Sequence, residues 1–251
     1  MRTRILVISY RFNFLGEALM RTLPKGVGEV IVVHNGKTRE RAATFKSQGA
    51  PQLFWEGDDC HGAILDRIFK DNALPQVTQD TDWVVCLDHD LHLLPPRFTR
   101  AFNQFADVAS KTDKAVVAKA RPTDPAGPWV YYWFTVPFFW VRPDRFVDMQ
   151  DSWIPERRGS VTYDTGQGMY LRRPELFELT KIETGDVGMH FGSYWTTKSG
   201  HTDRFLARIR AHYCMMTSLG YFRPSEEEWK EMAEFPAFDM AIASRKIPRS
   251  Y

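Results

Sequence analysis

The sequence predicts an α/β domain on a mostly parallel sheet, and three observations carry that prediction. Short apolar runs rich in Val and Ile recur at 5–8, 30–33, 83–87 and 115–118. The stretches between them repeat their apolar residues at helical spacing, so each run leads to the next through a helix-length connection, which implies right-handed crossovers. The runs are continuously apolar, without the alternation of a sheet that has one face in water, and therefore read as buried strands.

In chain order, Ile5-Leu6-Val7-Ile8 is the first strand, and Leu15, Ala18, Leu19 and Leu23 then mark one face of a helix that Pro24 and Gly26 stop. Val30-Ile31-Val32-Val33 is the second strand. After a polar loop containing Gly57, residues 61–70 place Ile64, Leu65 and Ile68 on one helical face ahead of the strand at 83–87. Pro95-Pro96 opens a helix with Phe98, Ala101, Phe102 and Phe105 inward, and residues 115–118 form the fourth strand. The aromatic run 129–140 reads first as one or two strands packing the sheet against the C-terminal part, and second as rings lining a sugar or base pocket. In the last fifty residues, 202–219 carry Phe205, Leu206, Ile209, Tyr213 and Met216 on one helical side, and Ser225 with Glu228 forms a capping-box signature.

Composition bounds the function. At 251 residues with 43% apolar content the chain suffices for one large domain, expected to span 1–251. Lys plus Arg at 33 against Asp plus Glu at 31 leaves a net charge of +2, too balanced to argue by itself for a nucleic-acid partner. Arg204, Arg208, Arg210, Arg245, Lys246 and Arg249 read as a solvated face and tail, or as a basic surface for a phosphate-rich acceptor such as DNA. Three scattered cysteines, Cys60, Cys86 and Cys214, indicate neither a disulfide framework nor a zinc knuckle, and a reducing cytoplasm is the expected compartment. No run reaches membrane-spanning length.

The chemistry-bearing feature is Asp88-His89-Asp90 at the end of the run 83–87. A buried strand does not end in two carboxylates one residue apart without a compensating cation. In doubly wound sheets the ligand crevice lies outside the carboxyl ends of the strands, where these acids fall. Spacing i, i+2 puts both on one side of an extended segment, and hard oxygen donors favour Mg or Mn. Neither a Walker A motif nor a Rossmann fingerprint is present, since Gly26-Val27-Gly28 precedes a strand.

With an Asp-x-Asp motif after a strand, helix, strand, helix order, residues 1–120 resemble the donor half of nucleotide-sugar-dependent glycosyltransferases of the GT-A fold. The resemblance implies that Asp90 ligates a metal bound to the donor diphosphate and that Asp88 reaches the metal or the ribose. It implies donor contacts at Ser9, Tyr10 and Arg11, just past the first strand, and allows Arg67 to face the diphosphate. Downstream, His190-Phe191-Gly192-Ser193-Tyr194-Trp195-Thr196-Thr197-Lys198 is similar in part to the segment His-Phe-x-Gly with Lys-Pro-Trp that closes the site in glycogenin-like retaining members; Ser199-Gly200 stand where the Pro-Trp pair would be. It implies His190 as third metal ligand and donor contacts from Ser193 and Lys198.

The resemblance further implies an acceptor half at 121–200 and C-terminal helices at 201–251. In Thr162-Tyr163-Asp164-Thr165-Gly166-Gln167-Gly168 the glycines let backbone approach a ligand. Asp164, the only acid there, is the candidate base of an inverting enzyme or, with Gln167, a residue beneath the donor sugar of a retaining one. It also reads as a turn residue bonding its own backbone. The expected activity is transfer of a sugar, with a UDP-sugar ahead of a GDP-sugar as donor, to an unidentified hydroxyl on a glycan, small molecule or modified nucleic acid. The rivals are a nucleotidyltransferase or phosphodiesterase, and a non-catalytic nucleotide-sugar-binding protein.

Overall fold

The computed structural model describes residues 1–10, 13–120, 129–130, 134–146, 151–159, 161–181, 188–190, 213–214, 216–220, 223–228 and 230, with the backbone alone at 92, 129–130, 134–137, 161–162 and 188–190. The elements in chain order are β1 (Thr3–Tyr10), α1 (Asn13–Thr22), β2 (Glu29–Asn35), α2 (Arg39–Ala43), β3 (Gln52–Phe54), α3 (His61–Phe69), α4 (Pro75–Thr78), β4 (Trp83–Asp88), β5 (Leu91–Leu93), α5 (Pro95–Lys111) and β6 (Val116–Ala120). They continue with β7 (Trp129–Val130), β8 (Phe134–Val141), β9 (Glu156–Arg158), β10 (Val161–Tyr163), α6 (Gln167–Arg172), β11 (Phe177–Thr180) and β12 (Gly188–His190).

Seven strands form one sheet in the order β11-β6-β8-β4-β1-β2-β3. Every described pairing in it is parallel except those of β8, which runs antiparallel to both β4 and β6. The α/β class and the mostly parallel sheet thus stand as predicted, and all four apolar runs are central strands. Their side chains alternate between two cores, as the two-residue period of a strand requires. Leu6, Ile8, Val84 and Cys86 face one with Ile64, Leu65 and Ile68 of α3. Ile5, Val7, Val85 and Leu87 face the other with Leu19 of α1 and Phe98, Ala101, Phe102 and Phe105 of α5. Helices therefore cover both faces, and the uninterrupted apolar runs follow from that burial.

The aromatic run contributes packing within its described part. Phe138 and Trp140 of β8 meet Phe105 and Phe102 at ring separations of 4.8 and 4.9 Å, while Phe139 turns to the opposite face and stacks on Trp153 at 5.2 Å. The Ser225 and Glu228 capping box forms, with Ser225 N donating to Glu228 Oε2 at 2.6 Å and Glu228 N to Ser225 Oγ at 3.3 Å. Glu228 also pairs with Arg21 of α1, and the Tyr213 hydroxyl donates to the Phe14 carbonyl at 3.0 Å, so the described C-terminal residues dock on α1. Tyr213 and Met216 are buried as their helical spacing predicts. The remaining members of that helical face and Arg204, Arg208, Arg210, Arg245, Lys246 and Arg249 lie outside the described residues. Among the described residues no helix is long and apolar enough to cross a membrane.

Candidate functional site

Parallel pairing brings the carboxyl ends of β1, β2 and β4 side by side: Ile8 stands opposite Asp88, Ser9 opposite His34, and Tyr10 opposite Asn35. Ser9, Tyr10 and Asp88 are thereby gathered at one edge. Ser9 is buried and its Oγ accepts from Lys37 Nζ at 2.7 Å. The Tyr10 hydroxyl donates to Asp58 Oδ1 at 2.5 Å. The loop bearing Asp58 is tied to the end of β2, because Asn35 Nδ2 donates to the Asp59 carbonyl, Asp59 N donates to Asn35 Oδ1, and Gly36 N donates to the Gly57 carbonyl.

Asp88 continues the α3-facing alternation of Val84 and Cys86. His61, at the N-terminus of α3, brings its Nε2 to 3.2 Å from Asp88 Oδ1. His89 and Asp90 form the turn that follows, both buried. Burial lowers the His89 imidazole to about 4; Asp90 and Asp88 oppose the shift, whereas Lys37 and His61 reinforce it. His89 is therefore neutral at pH 7, and its buried Nε2 has no hydrogen-bond partner among the described residues.

The turn leads into β5, which pairs antiparallel with β12, and in this ribbon His190 stands opposite Leu91, the residue after Asp90. Two stretches a hundred positions apart thus meet beside the acid pair. Among the described residues no three His, Cys, Asp or Glu side chains gather to hold a metal ion. Asp88 and Asp90 supply two carboxylates, and His190 is described by its backbone.

Asp164 sits between β10 and α6. Its Oδ1 accepts from Thr165 N at 2.8 Å and its carbonyl accepts from Gln167 N at 2.9 Å, the turn arrangement weighed beside the catalytic one. The glycines there serve the chain itself: Gly166 takes a positive φ of 71° to start α6, and a side chain at Gly168 would strike Glu156. The turn is tied to α3 through Trp153, whose carbonyl accepts from Gly166 N at 2.9 Å and whose amide donates to Asp66 Oδ1 at 2.8 Å. Ser152 also donates to Asp66, whose carboxyl is raised by burial against the lowering effect of these hydrogen bonds. Arg67 is not brought to this edge. It lies in the last turn of α3, about 9 Å along the axis from His61, exposed and paired with Asp71 at 2.8 Å. Arg11, Ser193 and Lys198 lie outside the described residues.

Three members of this edge escaped the sequence reading. Lys37 had a signal: it follows the second apolar run through His34-Asn35-Gly36, so the strand-end rule that selected Ser9 and Asp88 also selects it. Lys37 is buried, donates to Ser9 Oγ and to Asn13 Oδ1 at 2.8 Å, and lies 5.0 Å from the Phe45 ring. Asp58 and His61 had none, since a polar loop and a helix start carry many such residues.

His34 gives this edge a pH dependence. Burial, then Lys37, lower its imidazole to about 4 against the raising effect of the Gln52 hydrogen bond, and Phe45 packs edge-on at 5.0 Å. The folded chain resists protonating His34 while the unfolded chain protonates near 6.5, so the folded state loses stability as pH falls below 6.5 and loses no more below 4. From this residue alone we expect a loss of about 2 kcal/mol between pH 7 and pH 5. Urea midpoints across that range check it: His34→Asn should reduce the dependence by that amount, the share of His89 remaining, and an unchanged dependence would refute the assignment.

No family model matches the chain, and no curated protein matches it. Several solved structures are similar to it. Glucosyl-3-phosphoglycerate synthase from Mycobacterium tuberculosis, in complex with Mg2+ and uridine-diphosphate, is 14% identical over 90% of this chain and 81% of that one, at a TM-score of 0.45. The glycosyltransferase GlyE of Streptococcus pneumoniae is 10% identical over 98% of this chain and 64% of that one, at 0.43. TarS 1-349 of S. aureus is 17% identical over 57% of this chain and 47% of that one, at 0.33. The chain thus spans about half of the TarS fragment, and all three likenesses are distant.

Proposed function

We propose that the chain is a metal-dependent glycosyltransferase that moves a sugar from a nucleotide-diphosphate sugar to an acceptor hydroxyl. The observation that carries this reading is the β5–β12 ribbon, in which the backbone of His190 stands opposite Leu91, next to the turn that holds Asp90 and follows Asp88 at the end of β4. The order of these residues along the chain is that of the glycosyltransferase motifs they resemble.

The residues present fit a divalent ion of the Mg or Mn kind. Carboxylates are hard oxygen donors, and Asp90 is buried beside a partly buried Asp88, where acids of like charge favour a cation. When bound, the metal supplies positive charge to the diphosphate leaving group. Asp88, Asp90 and His190 would hold it, with Lys198, Ser193 and Arg11 completing the donor contacts. Ser9 and Tyr10 lie where the nucleoside would rest at the end of β1. Lys37 keeps Ser9 in place and adds a buried positive charge to that edge. Asp164 would accept the proton of the attacking hydroxyl in an inverting reaction; in a retaining one it would orient the donor sugar together with Gln167.

A thermal-shift panel of nucleotide sugars, with and without Mn2+, tests the proposal. One nucleoside series should raise the melting point only with metal, by the equivalent of about 2.7 kcal/mol at a hundredfold excess over Kd. The cognate donor should then be hydrolysed to a nucleoside diphosphate. Release of pyrophosphate or a monophosphate would replace the reading with that of a different nucleotide enzyme, and binding without turnover with that of a binding protein.

A further inference from the structure

We propose that Asp58 is a positioning residue of the nucleoside end of the site: by accepting the Tyr10 hydroxyl it holds the plane of the Tyr10 ring, the flat face on which the base of the donor would rest. The inference rests on the donor-site reading above and adds to it a residue from the loop between β3 and α3.

The bond is short, with the phenol oxygen 2.5 Å from Asp58 Oδ1, as expected where a hydroxyl donates to a carboxylate. Tyr10 is the last residue of β1 and is half-buried, so part of its ring stays open to a ligand. The strand fixes its Cβ but leaves the ring free to turn about its side-chain bonds. Gly36 limits that freedom from one side. An added Cβ there would sit 2.7 Å from Tyr10 Cε2 and 2.6 Å from Asp58 Oδ1, so the glycine lets ring and carboxylate meet just past the end of β2. A bond at the tip and backbone along the edge together define the plane of a face on which a base can stack.

Asp58 is itself held by bonds on both sides of it in the chain. Asn35 donates to the Asp59 carbonyl at 2.7 Å and accepts from Asp59 N at 3.1 Å. Gly36 N donates to the Gly57 carbonyl at 3.0 Å, and Trp55 Nε1 donates to Asp59 Oδ2 at 2.9 Å. Asn35 is buried and stands opposite Tyr10 in the β1–β2 pairing, so loop and ring are anchored to the same pair of strands. A carboxylate anchored in this way can hold a ring at a strand end, and a face set before binding spares the donor the cost of ordering it.

Binding of UDP and of GDP to the full chain at saturating Mn2+, read by titration calorimetry, tests the inference without turnover, the tighter of the two serving as probe. Asp58→Ala and Tyr10→Phe each remove one end of the bond. Each should weaken binding about fivefold, within the coupling of residues in contact, and the double variant should bind no more weakly than either alone. Asp58→Asn, whose amide oxygen still accepts from the hydroxyl, should stay within about twofold of the parent, with the melting points of all four variants little changed. Parent-like affinity in either Asp58→Ala or Tyr10→Phe would overturn the inference and leave the donor reading standing. Losses that multiply in the double variant would also overturn it, because the two residues would then act separately. So would equal changes in the Asn and Ala variants, which would mark the charge of Asp58 and not its bond to Tyr10. A parent chain that binds neither nucleotide would overturn the donor reading itself, and the inference with it.

Discussion

Asp90→Asn is expected to leave the chain folded and to lower metal-dependent release of nucleoside diphosphate by roughly a hundred- to a thousandfold. The substitution preserves volume and removes one charge from the two carboxylates at and just past the end of β4. Folding should be little affected, since the side chain keeps its size and its capacity to accept hydrogen bonds in the turn. The loss falls on whatever that charge attracts. Release measured with the cognate donor at saturating Mn2+, beside a melting curve, separates the two effects. Full activity in the folded variant would remove Asp90 from the site, and a collapse of the melting point would mark its carboxylate as structural.

Gly62→Ala is expected to destabilise the fold by about 3 kcal/mol, at the upper end for an overpacked position. In most helices this exchange stabilises, because alanine is the better helix former. Here the added methyl meets the backbone of Trp153 and Ile154, which cannot rotate away as a side-chain tip would. Relief requires α3 to shift from the segment that Asp66 binds. A lower urea midpoint at constant slope checks the effect. A Gly62→Ala variant as stable as the parent would show that α3 and this segment are less closely joined than described.

The two substitutions act on different parts of one design. Asp90 belongs to the strand-end turn, whereas Gly62 belongs to the frame that relates that turn to α3 and, through the Trp153 carbonyl, to the turn carrying Asp164. A stability defect at Gly62, set against a functional defect with intact stability at Asp90, would distinguish frame from site.

Much of this molecule was legible in the sequence because its signals are local and periodic. The runs at 5–8, 30–33, 83–87 and 115–118 are strands of the central sheet, since only strands covered on both faces need uninterrupted apolar side chains. The helix opened by Pro95-Pro96 buries the four residues its spacing selected, and Ser225 and Glu228 cap each other because the box depends on two residues three apart. The acid pair could be placed at a strand end by the same local reasoning.

What the sequence by itself determined, then, was the class of the sheet, the faces of its helices and the position of Asp88 and Asp90 at a carboxyl end. Tertiary structure alone decided that β8 enters antiparallel between β4 and β6, that the backbone of His190 stands opposite Leu91, that Lys37 reaches Ser9, and that His61 meets Asp88. It also decided that Arg67 turns away to Asp71 at the far end of the same helix. The reason is physical: period and capping are written in neighbouring residues, whereas a contact between distant side chains depends on how whole elements stack, and many sequences with the same local pattern stack differently.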